Sequence, residues 1–256
     1  FFLLIFKKRE YDVIFYYPQH FNRGKKNQNN YFNHLVESCR KKELSFILFE
    51  EPDFHSRYKR NKEAQPFDII FYFILILRKL FFFNNKYPYN KDKIIGKIFA
   101  QLFFKRIYFK NIVTISQSMV IFFRGVNPDC NIFDVQHGII HPNKKNYLEN
   151  NIPAENLKNN NVNVLFSGKS FQDILIMHDS TSFFINRSFV IGSNISESKN
   201  YHASFNHKIL VTLQFTHDHT DIENKLLLKS LNKIISSSDR KNLFYLKHHP
   251  RFNNDI

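Results

Sequence analysis

Short apolar runs alternate with longer segments of helical periodicity, and this alternation is the feature that most restricts how the chain can fold. The runs YDVIFYYP (11–18) and LSFILFEEP (44–52) have the length and residue types of buried strands. Residues 24–43 lie between them and carry four apolar residues at helical spacing: Phe32, Leu35, Val36 and Cys39. A strand, a helix and a strand within about forty residues predict the βαβ unit of a parallel sheet.

The alternation continues along most of the chain. Further apolar runs predict strands at 111–116, 130–136, 162–169, 188–193, 208–215 and 242–250. Residues 67–83 and 91–110 predict helices, of which the second is basic and amphipathic. The composition turns polar near residues 194–206. We therefore predict an α/β protein with parallel sheets and two domains, residues 1–195 and residues 196–256.

The chain is basic, with 37 Lys and Arg residues against 22 Asp and Glu residues and a formal net charge of +15. Such a surface attracts anions, which include nucleotide phosphates, acidic lipids and nucleic acid. The many Lys, Asn, Ile and Phe residues have a simpler explanation in the base composition of an AT-rich genome. Charge by itself therefore does not select a partner.

The cysteines and the apolar segments bear on the compartment. Cys39 and Cys130 lie far apart, which argues against a disulfide framework and for a reducing compartment. The opening FFLLIFKKRE has the wrong charge order for a signal peptide and is too short to span a bilayer. Three charged residues interrupt the apolar segment 67–83, which favours a buried helix. We predict a cytoplasmic protein.

The corner Gln136-His137-Gly138 follows a predicted strand directly. Ligands of open parallel sheets bind at the carboxyl ends of the strands, where this corner should lie. A histidine there can act as a general base near neutral pH, and a glycine lets the backbone turn sharply beside a ligand. A core histidine next to a turn would give the same tripeptide, so both interpretations stay open.

A second group of polar residues, YLKHHPR, follows the last predicted strand. Lys247, His248, His249 and Arg251 concentrate positive charge there, and Pro250 ends the strand. Because strand residues alternate between faces, His248 and His249 cannot both point into one cleft. A histidine backed by Lys or Arg could stabilise a departing phosphate, whereas a solvated basic turn is the simpler explanation. The chain stops just after this motif, so we expect the second domain to be incomplete.

In chain order, the segments DVQHGIIHP, VLFSGKSFQDIL, FVIGS, KILVTLQ and LFYLKHHPR resemble GT-B glycosyltransferases of bacterial surface-polysaccharide synthesis, including capsule, lipopolysaccharide and teichoic-acid-like systems. The resemblance covers most of the chain from residue 111 onward. It implies two Rossmann-like domains with parallel sheets, the second truncated. In related glycerol-phosphate polymerases and in capsule-type sialyl and Kdo transferases, a similar His-Gly element and a later His-Pro element face each other across a cleft.

The resemblance also implies roles for individual residues. His137 would be the catalytic base, beside the substrate-binding Gln136 and Gly138. Independently of the resemblance, the polar loop 22–30 after the first strand, which contains Arg23 and Gly24, is expected to contact the acceptor. On the nucleotide side, the resemblance implies His249 with Pro250, assisted by Lys247 and Arg251. Thr216 and Thr220 are expected there for a separate reason, because their loop, THDHTD, caps the start of a predicted helix.

Thr220 and Glu223 have the spacing of a capping box, which predicts a helix beginning there. The free N–H groups of such a helix end can hold phosphate. His217 and His219 supply at most two ligands at alternating positions, whereas a zinc site needs three or four. We expect no metal and no permanently bound cofactor, with the nucleotide-sugar acting as co-substrate.

The predicted helix 91–110 has two interpretations. Its apolar face can simply be part of the core, or it can dock the protein peripherally on an anionic inner-membrane surface where lipid-linked acceptors are presented.

Taken together, these features predict a metal-independent, inverting glycosyltransferase that uses a nucleotide-sugar and a glycan or lipid-linked acceptor. The nearest alternative is a transferase of glycerol or ribitol phosphate. An alternative of another class is a non-catalytic basic module that binds nucleic acid. We expect no nucleic-acid partner, because the phenylalanines fall inside strand and helix runs where core packing explains them. A membrane-associated scaffold without activity is a third alternative, against which both histidine motifs argue.

Overall fold

A computed structural model of the chain describes residues 8–53, 58–80, 88–192, 207–213 and 220–247. The chain divides into two compact units, Phe1–Ile195 and Ser196–Ile256. No helix within the described ranges is long and apolar enough to cross a membrane.

The first unit is built on a seven-stranded sheet in which every pairing is parallel. Its strands are β1 (Arg9–Pro18), β2 (Phe46–Glu51), β3 (Gln65–Pro66), β4 (Ile107–Ile115), β5 (Asn131–Val135), β8 (Asn163–Phe166) and β9 (Ser188–Val190). They lie in the order β3-β2-β1-β4-β5-β8-β9. The short strands β6 (Leu148–Glu149) and β7 (Ile152–Pro153) form a separate antiparallel pair. The predicted α/β class with a parallel, Rossmann-like sheet is confirmed.

Among the described residues of this unit, seven α-helices accompany the strands: α1 (Asn33–Lys41), α2 (Asp68–Leu80), α3 (Pro88–Leu102), α4 (Val120–Val126), α5 (Glu155–Asn159), α6 (Lys169–His178) and α7 (Phe183–Arg187). All of the last six residues of the central strand β1 are buried, so both of its faces are covered there. Strands covered on both faces have continuous apolar sequences, which is why the pattern of YDVIFYYP was informative.

Two apolar cores lie on the two faces of the sheet, because successive strand residues point to opposite sides. Ile14 and Tyr16 of β1 face one core, which also receives α2, α3 and α4. Val13, Phe15 and Tyr17 face the other core, against which α1 packs. The largest fully buried side chains among the described residues are Phe and Tyr, and helices cover both faces of the sheet as a parallel sheet requires.

The order in which strands are added to the sheet changes direction at β1. From β1 the chain proceeds outward through β2 to β3, and it then returns to place β4 on the opposite side of β1. Such a reversal opens a crevice between the connections at the carboxyl ends of the two central strands. The segments at this crevice are the loop after Pro18 and the turn after Ile115.

Helices α3 and α4 touch through their backbones at Gly96 and Gly125. A Cβ built on Gly96 would lie 2.1 Å from the carbonyl oxygen of Phe122, and one on Gly125 would lie 2.3 Å from that of Lys93. Only glycine fits at either position, and this close crossing brings Phe99 and Phe122 into ring contact at 5.5 Å between centroids.

The second unit contains a βαβ arrangement: β10 (Lys208–Thr212), α8 (Asp221–Ser237) and β11 (Leu243–Lys247), with the two strands paired in parallel. The predicted capping box is confirmed, since the Thr220 side chain accepts from the Glu223 backbone N–H and the Glu223 carboxylate accepts from the Thr220 backbone N–H.

The predicted helix over 91–110 is wrong at its carboxyl end. Helix α3 ends at Leu102, and Ile107 already pairs with Arg9 as the first residue of β4. The β-branched and aromatic residues Ile107, Tyr108 and Phe109 favour a strand, and the edge of β1 supplies their hydrogen-bond partners. The predicted helix over 67–83 is confirmed for Asp68–Leu80, and residues 81–83 lie outside the described residues.

Candidate functional site

The corner Gln136-His137-Gly138 lies at the carboxyl end of β5, which ends at Val135. Gly138 has a φ of 75°, in the left-handed region that side chains other than glycine adopt at a cost. A Cβ there would meet only the Lys144 ammonium, at 3.8 Å. The backbone angle, rather than lack of space, is therefore the reason for a glycine at this turn.

Two side chains hold the carbonyl groups of the corner. The Lys144 ammonium donates to the carbonyl of His137 at 3.2 Å and to that of Ile139 at 2.9 Å. The Gln136 side-chain amide donates to the carbonyl of Gly138 at 2.7 Å. Three consecutive carbonyls are thus fixed by side chains, although this turn belongs to no helix or strand.

Gln136 is buried and also ties the corner to the neighbouring strand. Its side-chain oxygen accepts from the backbone N–H of Ser167 at 3.0 Å and from the Ser167 hydroxyl at 3.1 Å. Its backbone N–H donates to the carbonyl of Leu165 on β8 at 2.9 Å. The Gln136 side chain is therefore held by the protein through both its amide and its oxygen, and its predicted role in substrate binding stays a prediction.

Asp134 lies beneath the corner and was missed by the sequence analysis. Its carboxyl oxygen Oδ1 accepts from the backbone N–H of Gln117 at 2.6 Å and from the Thr114 hydroxyl at 3.1 Å. Its second oxygen, Oδ2, is buried and has no hydrogen-bond partner among the described residues. Burial raises the pKa of Asp134 to about 7, although these two hydrogen bonds and the charge of Lys144 act to lower it. A single acidic residue inside the apolar run NIFDV was the available signal.

His137 lies half-buried at the crevice. Its ring packs edge-on against Phe21, with 4.9 Å between centroids, and against Tyr31 at 5.9 Å. Phe21 follows β1 and His137 follows β5, so the two rings meet at the carboxyl edge of the sheet from strands on either side of β4. The imidazole is therefore oriented by two aromatic rings at the edge where parallel sheets bind ligands.

A cavity of about 420 Å³ opens beside this corner. It is lined by the carboxyl ends of three strands, by the segment that begins α1 and by one residue of α6: Val135, Gln136, Gly138, Ser167, Ile191, Gly192, Asn30, Tyr31, His34 and Phe171. Its volume is in the range of small-molecule sites in proteins. The two residues that flank His137 line it, as does the Tyr31 ring that His137 contacts.

His34 differs from the other residues that line the cavity. Both of its ring nitrogens are buried and have no hydrogen-bond partner in the described part of the chain. Burial lowers the pKa of His34, so the ring is uncharged near neutral pH. A buried polar atom without a partner costs about 1–3 kcal/mol, and such groups in native proteins call for an explanation.

Arg23 and Gly24 do not line this cavity as the structure describes it. The Arg23 guanidinium donates to the carbonyl of His20 at 3.1 Å, within its own loop. Gly24 is enclosed, since a Cβ there would lie 2.2 Å from the Asn30 side-chain oxygen. The loop is anchored by the buried Asn22, whose amide donates to the Glu50 carboxylate at 2.6 Å. The contact of Arg23 and Gly24 with an acceptor remains a prediction.

The residues predicted for the nucleotide side lie in the second unit. Thr220 is occupied as a helix cap, and Asp221 and Glu223 place two carboxylates in the first turn of α8, which opposes phosphate binding there. Lys247 ends β11 with an exposed side chain. The remaining predicted residues lie outside the described residues: Thr216, His249, Pro250 and Arg251.

Within the described ranges, no three His, Cys, Asp or Glu side chains converge as a metal site requires, and His217, Asp218 and His219 lie outside those ranges.

No protein-family model matches the sequence, and a search of curated proteins finds no match.

Proposed function

We propose that this chain is part of a GT-B glycosyltransferase that transfers a sugar from a nucleotide-activated donor to a cell-surface glycan or lipid-linked acceptor. The position of His137 is the observation that supports this most. Its ring lies at the carboxyl ends of β1 and β5, and its two chain neighbours line a cavity of about 420 Å³. A base at such an edge can reach a bound hydroxyl.

In the proposed step, a ring nitrogen of His137 removes the proton from an acceptor hydroxyl. The hydroxyl oxygen forms a bond to the anomeric carbon of the donor sugar while the bond from that carbon to the nucleotide phosphate breaks. The electron pair of the broken bond leaves with the phosphate. A single displacement of this kind inverts the configuration at the anomeric carbon. The hydrogen bonds to the carbonyls of His137 and Gly138 hold the backbone of the corner, and we propose that this keeps the imidazole in position during the transfer.

For the departing phosphate we propose the basic end of the second unit, where Lys247 is followed in the sequence by His249 and Arg251. Positive charge and N–H donors stabilise the negative charge that develops on the leaving group. The formal net charge of +15 favours the approach of an anionic donor. This mechanism needs no metal ion.

The test replaces the proposed base. We expect His137→Asn to lower the transfer rate by about 10²–10⁴, which is the usual contribution of a positioned general base. His141→Asn is the matched control, because His141 is exposed and follows the same corner. The measurement is release of nucleotide from a panel of nucleotide-sugars with and without acceptor. If the His137→Asn variant transfers as fast as the wild type, His137 is not the catalytic base.

The nearest alternative is transfer of glycerol or ribitol phosphate. Offering nucleotide-activated glycerol and ribitol in the same assay separates the two donor classes. We expect turnover with a nucleotide-sugar, and turnover confined to the polyol donors would instead establish the alternative.

We further propose that α2 and α3 dock this unit on the anionic inner face of a membrane. Five large apolar side chains at helical spacing are exposed along α2: Ile69, Tyr72, Phe73, Ile76 and Leu80. An amphipathic helix with such a stripe can lie in the lipid interface. For the following helix, predicted over 91–110, the sequence left this role open; α3 exposes Ile94 and Leu102, and the longer exposed stripe belongs to α2.

The charges beside the stripe favour an anionic lipid surface as the occupant. Lys79, Lys93 and Lys97 are exposed on these two helices. The helices contain two carboxylates in their described parts, and arginines of the same unit neutralise both: Arg60 contacts Asp68 at 2.8 Å and Arg78 contacts Asp92 at 2.7 Å. Cations near an anionic surface each add about 1 kcal/mol of attraction.

Flotation with vesicles tests this docking. We expect binding to phosphatidylcholine vesicles that contain phosphatidylglycerol, and much weaker binding to phosphatidylcholine alone. The double variant Ile76→Ser, Leu80→Ser should lose binding, whereas Met177→Ser should not, since Met177 is also exposed but lies on α6. The result against docking would be that the wild-type protein binds no vesicles and that the Ile76→Ser, Leu80→Ser variant changes a dimer to a monomer. The exposed stripe of α2 would then be an interface between two copies of the chain.

A further inference from the structure

A second imidazole, that of His20, lies at the same edge of the sheet as His137. His20 belongs to the loop after β1, which is one of the two segments at the crevice. Its ring nitrogen Nδ1 lies 2.9 Å from the carboxylate oxygen Oδ2 of Asp53, which comes shortly after the end of β2. Two neighbouring strands therefore bring a histidine and a carboxylate together at their carboxyl ends, where parallel sheets bind ligands.

The contact with Asp53 determines how the imidazole of His20 can act. An ionised carboxylate only accepts hydrogen bonds, so Nδ1 carries the proton that it donates to Asp53. In the neutral ring, the basic lone pair then lies on Nε2. A carboxylate in this position orients the ring and stabilises the imidazolium ion that forms when Nε2 takes up a proton. A histidine held in this way has the arrangement of a general base.

The side chain of His20 is partly open to solvent, whereas its carboxylate partner is more enclosed. The exposed fraction is 43% for His20 and 22% for Asp53. Gln19 connects the loops after β1 and β2, because its amide donates to the carbonyl of Tyr58 at 2.8 Å and its side-chain oxygen lies 3.4 Å from the backbone nitrogen of Asp53. A substrate can therefore reach the imidazole of His20 while Asp53 stays in place.

The buried ring of Phe21 contacts both imidazoles. Its centroid lies 4.4 Å from that of the His20 ring and 4.9 Å from that of the His137 ring. Both imidazoles are thus held against one aromatic side chain at the carboxyl edge of the sheet. A phenyl ring neither donates nor accepts a proton, so Phe21 cannot pass one between them. Each imidazole has to act on its own group of the substrate.

We infer that His20 is a second general base of this crevice, with Asp53 as its positioning residue, and that it acts on a hydroxyl group. In the step it serves, Nε2 removes the hydroxyl proton, and the oxygen uses the electron pair of the broken O–H bond to attack. Identifying this attack with transfer of a sugar to a second hydroxyl of the acceptor rests on the proposed function. The basic character of the His20 ring does not.

Linkage analysis of the transfer products tests this inference, with lactose and maltose as acceptors that offer several hydroxyls. We expect His20→Asn to slow formation of at least one linkage by about 10²–10⁴, as the loss of a general base does. Asp53→Asn should slow the same linkage by less, and Asp53→Glu, which keeps a carboxylate, should recover part of the rate. His141→Asn is the control. A folded His20→Asn variant that forms every linkage at the wild-type rate overturns the inference.

Two measurements on the whole chain need no transfer. NMR of the ring nitrogens should show the Nδ1–H tautomer for His20, and Asp53→Asn should weaken this preference while Asp129→Asn leaves it unchanged. Diethyl pyrocarbonate, followed by mass spectrometry, should modify His20, because it reacts with an accessible basic imidazole. A His20 ring that stays unmodified, or a tautomer that Asp53→Asn leaves unchanged, contradicts the inference.

The proposed transfer and this inference fail separately. If no nucleotide-sugar is turned over, the proposed function fails, and the tautomer and the chemical modification still test His20. If His137→Asn is slow and His20→Asn forms every linkage at the wild-type rate, His137 stays the proposed base and the inference fails.

Discussion

The ring of His137 meets the ring of Phe21 nearly at a right angle, with 4.9 Å between their centroids. The two residues follow strands that are not neighbours in the sheet, since β4 lies between β1 and β5. Phe21 lies in the loop after Pro18, so their contact joins the His137 corner to one of the two segments that border the crevice. It explains how a residue from a short turn acquires a fixed orientation at the edge that binds ligands.

The left-handed backbone at Gly138 predicts a stability cost for any side chain there. We expect Gly138→Ala to lower the free energy of unfolding by about 1–2 kcal/mol, because an L-residue is strained at a φ of 75°. Gly168→Ala is the control: its φ is −157°, and the nearest atom to an added Cβ is in the Phe171 ring at 3.7 Å. Urea unfolding measures both. Equal losses in the two variants would contradict the role of the backbone angle.

The raised pKa of Asp134 predicts that the free energy of unfolding depends on pH. The pKa of Asp134 is about 7 in the folded protein, whereas the ordinary value is near 3.8. Between pH 3.8 and pH 7, the carboxyl group is therefore protonated in the folded state and ionised in the unfolded state. The free energy of unfolding should therefore fall as the pH rises through this window, by about 4 kcal/mol in total for a shift of this size.

Asp134→Asn should remove this part of the pH dependence, so that the variant gains stability relative to the wild type as the pH rises from about 4 to about 7. The measurement is urea unfolding at a series of pH values. Asp129→Asn, at an exposed position that follows α4, is the control and should leave the profile unchanged. A wild type and Asp134→Asn variant with parallel profiles would rule out the raised pKa.

The contact of α3 with α4 at Gly96 predicts strong destabilisation by a single methyl group. We expect Gly96→Ala to cost about 3 kcal/mol, because the new Cβ would lie 2.1 Å from a backbone carbonyl oxygen that cannot rotate away. Lys97→Ala changes the adjacent, exposed position of the same helix and should be nearly neutral. Thermal unfolding distinguishes them, and a Gly96→Ala variant of wild-type stability would mean that the helices do not cross here.

The capping box at Thr220 predicts a local effect on α8. Thr220→Ala should destabilise the helix by about 1 kcal/mol, since the Glu223 backbone N–H loses its acceptor. Hydrogen exchange of the amides in the first turns of α8 is the direct readout and should become faster. Ser236→Ala near the other end of α8 should leave those amides unchanged. Unchanged exchange in Thr220→Ala would contradict the capping role.

Features that depend on neighbours in the chain could be predicted from the sequence. The apolar run of β1 marks a strand buried on both faces, and the Thr220–Glu223 spacing marks the start of α8. The glycine after His137 marks a sharp turn at a strand end. Periodicity and capping report local geometry, which is why these three could be predicted and why Ile107, at a change from helix to strand, could not.

Only the tertiary structure decided which of these pieces meet. The strand order brings the ends of β1 and β5 to one crevice, and no local pattern encodes a pairing between segments so far apart. The burial of the His34 ring nitrogens and of Asp134 depends in the same way on surfaces supplied by other parts of the chain. Residue types along the sequence set the strands and the turn, whereas non-local hydrogen bonds and packing decided which side chains share a cavity.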